Sequence, residues 1–141
     1  MNSKEFFYEF GKTLYCIDGF YSEYAKLSGV KENLLWVLYA LNDDKEHSQK
    51  EICNSWDLPR TTVNTIIKEL EEDRYISLTQ IKGEKRELNV VLTPSGKEYA
   101  DRILEGLYLI EDKVFKELHD SDVILKMQEV LDKLYQTKED K

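Results

Sequence analysis

The 141-residue sequence predicts a mostly α-helical fold that contains one small antiparallel β-hairpin. Over most of the chain, apolar residues recur at intervals of three and four, which is the repeat of one helix face. Between residues 76 and 93 the repeat changes to two, which indicates paired strands. Long helical patterns lie on both sides of residues 48–96, so the fold is predicted to be organised around this middle segment.

Size and composition indicate one domain, with segments 1–44, 45–96 and 97–141. The chain is 41% hydrophobic, and no apolar run approaches the ~18 residues that a transmembrane helix needs. The first residues, Met-Asn-Ser-Lys-Glu, do not resemble the basic start of a cleavable signal followed by a long apolar core. We therefore expect a cytoplasmic protein without a membrane partner.

A long first helix is predicted from residue 3 to about residue 28. Its apolar stripe follows a 3-4-3-4-3 spacing and consists of Phe7, Phe10, Leu14, Ile17, Tyr21 and Tyr24. Phe6, Tyr15 and Phe20 widen this stripe beyond what one small core requires. Either core packing or burial against a second subunit explains the excess. Ser28-Gly29 is predicted to end the helix.

Three further helices flank the middle segment. One is predicted over residues 31–41 and stops at Asn42-Asp43-Asp44, and a second long helix covers residues 94–118. A last helix follows the capping residues Asp120-Ser121-Asp122. These helices are too amphipathic to stand alone in water, so we expect them to pack on one another and on the same helices of a partner subunit, as dimerisation helices.

The middle segment begins with two short helices joined by a turn. Ser48 and Glu51 have the spacing of a capping box for a helix that runs through Trp56. Asp57-Leu58-Pro59 breaks this helix, and Pro59 is predicted in the first turn of the next one. The second helix, predicted over residues 59–72, has an apolar stripe formed by Val63, Ile66, Ile67 and Leu70.

A charged hairpin follows the second helix. Its strands alternate around Ile76, Leu78 and Val90, and its tip is Lys82-Gly83-Glu84-Lys85-Arg86. Thr93 and Pro94 are predicted to be the N-cap and the first residue of the next helix. A helix-turn-helix followed by a basic hairpin is the plan of a winged helix-turn-helix DNA-binding unit.

This segment resembles the MarR family, the multiple-antibiotic-resistance-type repressors. Its members share a Ser or Thr cap with Glu three residues later, a Thr-Val-x-x-hydrophobic recognition helix, a Leu-Glu pair, an Asp-x-Arg wing and a closing Leu-Thr-x-x-Gly. The matching residues here are Ser48 with Glu51, Thr62-Val63, Leu70-Glu71 and Leu92-Thr93-Pro94-Ser95-Gly96.

The chain departs from the family pattern at two places. Glu84-Lys85-Arg86 stands where Asp-x-Arg is usual, and Arg74 stands where the family commonly has the glycine that ends the recognition helix. Glycine suits a left-handed helix end, so Asp73 or Arg74 is predicted to adopt that geometry, unless the helix ends differently.

The resemblance implies a homodimer that binds double-stranded DNA at a pseudo-palindromic operator, usually as a repressor. It also implies that the first helix contributes both to the core and to the dimer interface. A small aromatic or lipophilic effector often binds to members of this family between the dimerisation region and the winged unit.

The predicted DNA-binding residues form two groups. The polar face of the recognition helix carries hydrogen-bonding groups suited to base edges and phosphates in the major groove. The wing, residues 82–87, carries cations suited to the neighbouring minor groove. The recognition-helix group is Arg60, Thr61, Thr62, Asn64, Thr65 and Lys68, and the wing group is Lys82, Lys85 and Arg86. The alternatives are an ordinary solvated helix face and an ordinary charged hairpin tip.

The charge distribution keeps a second function open. The net charge of −8 divides into −3 for residues 1–44, zero for residues 45–97 and −5 for residues 98–141. The predicted DNA-binding segment is thus the least acidic part of the chain, and phosphate binding depends on local cations. The overall charge and the acidic run from Glu69 to Asp73 instead favour a winged-helix protein-interaction module without DNA binding.

Three residues are predicted to form an effector pocket, namely Tyr15, Trp36 and Tyr39, with simple core packing as the alternative. Cys16 is the one candidate for a redox sensor of the kind found in some family members. It has no adjacent Lys, Arg or His to favour the thiolate, and a small buried side chain is the alternative.

No catalytic or cofactor site is predicted. Cys16 and Cys53 are too few and too far apart for a disulfide framework or a metal site, and His47 and His119 have no ligand partners at metal-binding spacing. The sequence contains no Gly-rich phosphate loop and no nucleophile elbow. We therefore expect a protein that is not an enzyme and that uses no cofactor or metal.

Overall fold

A computed structural model of the chain describes residues 1–80, 87–118 and 122–140. Over these residues the order of elements is α1 (Ser3–Leu27), α2 (Glu32–Leu41), β1 (His47–Ser48), α3 (Gln49–Trp56), α4 (Arg60–Glu72), β2 (Ile76–Gln80), β3 (Leu88–Leu92), α5 (Pro94–Leu118) and α6 (Asp122–Glu139). The mostly α-helical fold class with its winged helix-turn-helix is confirmed.

The small sheet has three antiparallel strands in the order β1-β3-β2. Leu78 lies opposite Val90 in the pairing of β2 with β3, and His47 lies opposite the same valine on the other side. The prediction of a two-stranded hairpin was therefore incomplete. Strand β1 has two residues, which is too short for an alternating pattern to be visible in the sequence.

Helix α1 is closed at both ends by local hydrogen bonds. The Asn2 side chain accepts from the Glu5 N–H, while the Glu5 side chain accepts from the Asn2 N–H, which forms a capping box. At the other end, Gly29 has φ 77° and donates to the carbonyl of Lys26, and Val30 donates to that of Ala25. This is a Schellman ending, in which glycine supplies the left-handed residue at no steric cost.

Residues Met1–Leu107 form one compact unit with a continuous apolar core. Helices α2, α3 and α4, the sheet and the first half of α5 contribute its fully buried side chains. The largest of these are Leu35, Leu38, Ile52, Leu104, Leu107, Val37, Val63 and Val90. From α1, only Ala25 is fully buried, so this helix contributes least to the core.

The second compact unit comprises Tyr108–Lys141 and contains the end of α5 together with α6. No residue of α6 is fully buried, and its apolar residues Val123, Ile124, Leu125, Leu131 and Leu134 are exposed. Within residues 1–80, 87–118 and 122–140, no helix is both long enough and apolar enough to cross a bilayer.

The end of α4 and the start of α5 are joined closely. Thr93 Oγ1 accepts from the N–H of Gly96 and donates to the carbonyl of Arg74 at 2.7 Å, while the Thr93 N–H donates to the carbonyl of Tyr75 at 3.0 Å. A Cβ atom on Gly96 would overlap the Tyr75 carbonyl oxygen, so only glycine fits here. Thr93 as the N-cap of α5 and Pro94 as its first residue are both confirmed.

Candidate nucleic-acid interface

Helix α4 separates its apolar and polar residues on opposite sides. Val63, Ile66, Ile67 and Leu70 are all buried against the core of the first unit. Because the apolar stripe is used for packing, the opposite side of the helix faces solvent. The second helix of the helix-turn-helix thus exposes a polar face, while its buried apolar side anchors it to the core.

Five of the six predicted recognition-helix residues lie on this exposed face, and Thr62 is half-buried. The Thr65 hydroxyl donates to the carbonyl of Thr61 at 3.0 Å, so its oxygen remains available as an acceptor. Asn64 Oδ1 accepts from Gln49 Nε2 at 3.4 Å. Gln49 was not predicted as part of this surface, because its position next to the Ser48 cap carries no signal for such a contact.

The turn before α4 leaves the start of that helix without a side-chain cap. Asp57 ends α3 with φ 50°, and Leu58 donates to the carbonyl of Cys53 at 3.1 Å. Pro59 has an extended backbone and is the N-cap of α4, so its predicted place in the first turn was off by one residue. Proline has no side-chain acceptor for the first N–H groups of the helix, and these groups stay uncapped by any side chain.

The predicted capping box of α3 is only half formed. Ser48 Oγ accepts from the Glu51 N–H at 3.0 Å, but the Glu51 carboxylate binds His47 Nδ1 at 2.9 Å instead of returning to the Ser48 backbone. His47 Nε2 in turn lies 2.8 Å from both carboxylate oxygens of Asp43. The imidazole therefore lies between two carboxylates, an arrangement that was not predicted from the sequence.

The surroundings of His47 favour its charged form. Partial burial of the ring opposes the charge, but the hydrogen bonds and ion pairs with Asp43 and Glu51 outweigh it and raise the pKa of His47. Desolvation also acts against the charge of Asp43, yet the His47 ring and the Lys45 N–H together lower the pKa of this carboxyl. Both shifts stabilise the same ion pair.

The predicted wing residues Lys82, Lys85 and Arg86 lie outside the described residues. The strands that lead to them are β2 and β3, whose register pairs Gln80 with Leu88. A surface hollow of about 330 Å³ lies beside these strands, and Lys50, Cys53, Arg60 and Leu88 are among its lining residues. Cys53, predicted as core, is half-buried at the edge of this hollow.

Two of the three predicted effector-pocket residues are in contact. The rings of Trp36 and Tyr39 lie 5.7 Å apart, and both belong to a cluster that includes Tyr21 and Trp56. Tyr15 is 82% exposed and is not part of this cluster. Tyr21, a member of the apolar stripe of α1, is the residue of this helix that contacts Trp36.

Cys16 is exposed on α1 and is not buried as the alternative reading had it. Among the residues that the structure describes, no group of three or more His, Cys, Asp and Glu side chains has a geometry that could hold a metal ion.

The sequence model described as the MarR family matches residues 28–87. A curated relative, the HTH-type transcriptional regulator SarZ of Staphylococcus epidermidis, is 27% identical over 99 residues. The match covers 70% of this chain and 64% of SarZ, so the chain spans less than two thirds of that relative.

Solved structures agree over a longer stretch. NMB1585, a MarR family regulator from Neisseria meningitidis, is 26% identical, with a TM-score of 0.78 over 99% of this chain and 96% of its own. Reduced AbfR bound to DNA, a protein of Staphylococcus epidermidis, has the same fold at 19% identity, with a TM-score of 0.67 and 94% coverage of both chains. The winged unit, the flanking helices and these matches together support assignment of the chain to the MarR family.

Proposed function

We propose that this protein is a sequence-specific, DNA-binding transcriptional regulator that acts as a homodimeric repressor. The recognition helix α4 enters the major groove, and the wing, residues 82–87, lies near the flanking minor groove. The observation that carries the proposal is the division of α4 into a buried apolar stripe and an exposed face of Arg60, Thr61, Asn64, Thr65 and Lys68. These side chains offer donors and acceptors to base edges without any cost to the core.

The start of α4 supports contact with a phosphate. Its first N–H groups have no side-chain cap, and Arg60 stands at the same end of the helix. Helix N-termini attract anions through unpaired N–H groups and the helix dipole. The acidic residues Glu69, Glu71 and Glu72 lie in the last turns of α4, at the opposite end from Arg60.

Dimer formation is supported by apolar surface on the terminal helices. Phe6, Phe7, Leu14, Ile17 and Phe20 are all exposed along α1 in the single chain. Soluble monomers rarely expose so continuous an apolar face, and such faces mark interaction surfaces. In a dimer of this family's type, two recognition helices read successive major grooves roughly 34–36 Å apart on a pseudo-palindromic operator.

Relief of repression by a small aromatic or lipophilic effector is part of the proposal. The cluster of Tyr21, Trp36, Tyr39 and Trp56 provides adjacent ring faces, and offset or edge-to-face stacking suits an aromatic ligand. An effector would act by changing the population of two arrangements of the winged units. A screen of small aromatic acids for displacement of bound DNA tests this part independently of the recognition helix.

The test of DNA binding begins with selection of bound sequences from a random duplex pool by the purified protein. Mobility-shift titrations with the selected duplex then compare wild type with Arg60→Ala combined with Lys68→Ala. The double variant should bind about tenfold or more weakly, and the salt slope should fall by about two for each subunit, if both cations contact phosphates. Lys113→Ala combined with Lys138→Ala removes the same charge from exposed sites elsewhere and should leave both quantities unchanged.

Two outcomes would overturn the proposal. Equal affinity and salt slope in the Arg60/Lys68 variant and the wild type would remove α4 as the recognition helix. Failure to enrich any duplex, together with no retention on heparin at low salt, would favour the alternative of a protein-interaction module.

A further inference from the structure

His47 lies in an ionic clamp that joins the loop after α2 to β1 and α3. Asp43 follows α2, His47 belongs to β1, and Glu51 lies in the first turn of α3. The two ring nitrogens are 2.8 Å and 2.9 Å from carboxylate oxygens on opposite sides. The His47 side chain is only 15% exposed, whereas Asp43 is 42% and Glu51 51% exposed.

Asp43 and Glu51 are the charged groups that raise the pKa of His47. The adjacent hollow, about 310 Å³, is lined by the three clamp residues and by Tyr39, Ala40, Ile52, Ser55 and Trp56, all of which are uncharged. On the sheet side, the residue opposite His47 is Val90. Lys45 acts on the clamp through Asp43, whose pKa its charge and its backbone N–H help to lower. The net charge of the clamp therefore depends on whether His47 is protonated.

The clamp lies next to two residues at the start of α3, one of which is hydrogen-bonded to α4. Ser48, adjacent to His47, caps α3, and Gln49 is the first residue of α3. The Gln49 side chain donates to Asn64 on the exposed face of α4. A displacement of β1 or of the first turn of α3 would thus move Gln49 and change the position of Asn64, to which it is hydrogen-bonded.

Protonation decides whether both arms of the clamp can form. A protonated imidazole donates to both carboxylates, whereas a neutral ring donates to one and turns a lone pair towards the other. Because the pKa of His47 is raised, the clamp is complete below the ordinary histidine value of about 6.5 and is lost as the pH rises through the higher folded value. After loss of the proton, a nitrogen lone pair of the ring faces one carboxylate and repels it.

We propose that His47 is a positioning residue for DNA recognition, and that its proton couples the Asp43–His47–Glu51 clamp to the placement of Asn64 through Gln49. This inference rests on the proposed DNA-binding function. Its consequence is that DNA affinity decreases as the pH rises above about 6.5 and through the raised pKa of His47, by more than the general charge of the protein requires.

The experiment measures binding of the selected duplex at pH 6 and pH 8 at constant ionic strength. Three proteins are compared, namely wild type, His47→Gln and His119→Gln, which changes the only other histidine of the chain. Wild type and His119→Gln should both lose affinity, roughly threefold beyond the change seen in His47→Gln, which is the range for partly exposed ion pairs. His47→Gln keeps a neutral hydrogen-bonding side chain but cannot be protonated.

Thermal unfolding of the same proteins separates positioning from stability. If His47 only stabilised the fold, His47→Gln would flatten the pH dependence of the unfolding midpoint and leave the pH profile of DNA binding unchanged, and that result would overturn the proposal. Glu51→Gln, which keeps the Ser48 cap, should give an intermediate binding profile; a wild-type profile in this variant would also contradict the clamp. Absence of DNA binding by wild type at both pH values would instead defeat the underlying DNA-binding proposal.

Discussion

Helices α1 and α4 have the same kind of apolar repeat but use it differently. In α4 the stripe is closed off from solvent, with Val63 at 0% and Ile67 at 3% exposure. In α1 the corresponding positions remain open, with Phe7 at 45% and Ile17 at 51%. The repeat therefore determines that both segments are helices with one apolar side, and it does not determine which molecule covers that side.

The ends of the two helices also differ in an instructive way. Both end in Schellman hydrogen bonds, from Val30 to Ala25 in α1 and from Tyr75 to Leu70 in α4. In α1 the left-handed position is Gly29 with φ 77°, whereas in α4 it is Arg74 with φ 62°. The end of α4 thus has the left-handed geometry that glycine favours, although the side chain of Arg74 opposes that geometry.

The largest expected effect comes from the buried stripe of α4. Ile67→Ala removes a nearly fully buried side chain and leaves a cavity, so the free energy of unfolding should decrease by about 2–5 kcal/mol. Urea denaturation followed by circular dichroism measures this loss, which should not depend on protein concentration. The exposed neighbour Lys68→Ala should change stability by less than about 0.5 kcal/mol and is the control. Equal effects of both variants would contradict the packing described for α4.

The exposed stripe of α1 should respond to charge through assembly. Ile17→Glu places a carboxylate in the apolar face, so a dimer that buries this face should dissociate while the helix content is retained. Sedimentation equilibrium should report twice the 16.7 kDa chain mass for wild type and a single chain mass for the variant. Cys16→Glu adds the same charge at an exposed position on the other side of α1 and should remain dimeric. A dimeric Ile17→Glu protein would exclude this face as the interface.

The smallest effects concern the two helix ends. Arg74→Gly should stabilise the protein by about 1 kcal/mol, because glycine adopts the left-handed conformation without steric cost. Gly29→Ala should destabilise it by a similar amount, since nothing surrounds that position and only backbone strain is added. Urea midpoints of the two variants should move in opposite directions. A shift of both urea midpoints in the same direction would show that the left-handed conformation does not determine the stability at both helix ends.

Much of the winged unit was predictable from local chemistry. The apolar stripe of α4, the Ser48 and Thr93 caps and the break before Pro59 each depend on residues close in sequence. The absence of glycine at the end of α4 also predicted that Asp73 or Arg74 would take a left-handed conformation, and Arg74 does. These features follow from short-range sterics and hydrogen bonding, which a single sequence expresses directly.

The remaining features depend on contacts that periodicity does not encode. Asp43, His47 and Glu51 are spaced by four, but they lie in the loop after α2, in β1 and in α3, so the spacing gave no helix-face signal. Gln49 reaches Asn64 across fifteen residues, and the close approach of Gly96 to Tyr75 joins the first turn of α5 to the loop after α4. The DNA-contacting roles of the recognition-helix and wing residues, and the effector and redox roles, stay predictions.

The joint between α4 and α5 has a mechanical consequence. Thr93 is tied to the carbonyls of Arg74 and Tyr75, and the absence of a side chain at Gly96 lets the two backbones touch. Rotation of the first turn of α5 about its axis would break these hydrogen bonds or drive the backbones into each other. The first turn of α5 and the end of α4 therefore rotate together as one rigid body.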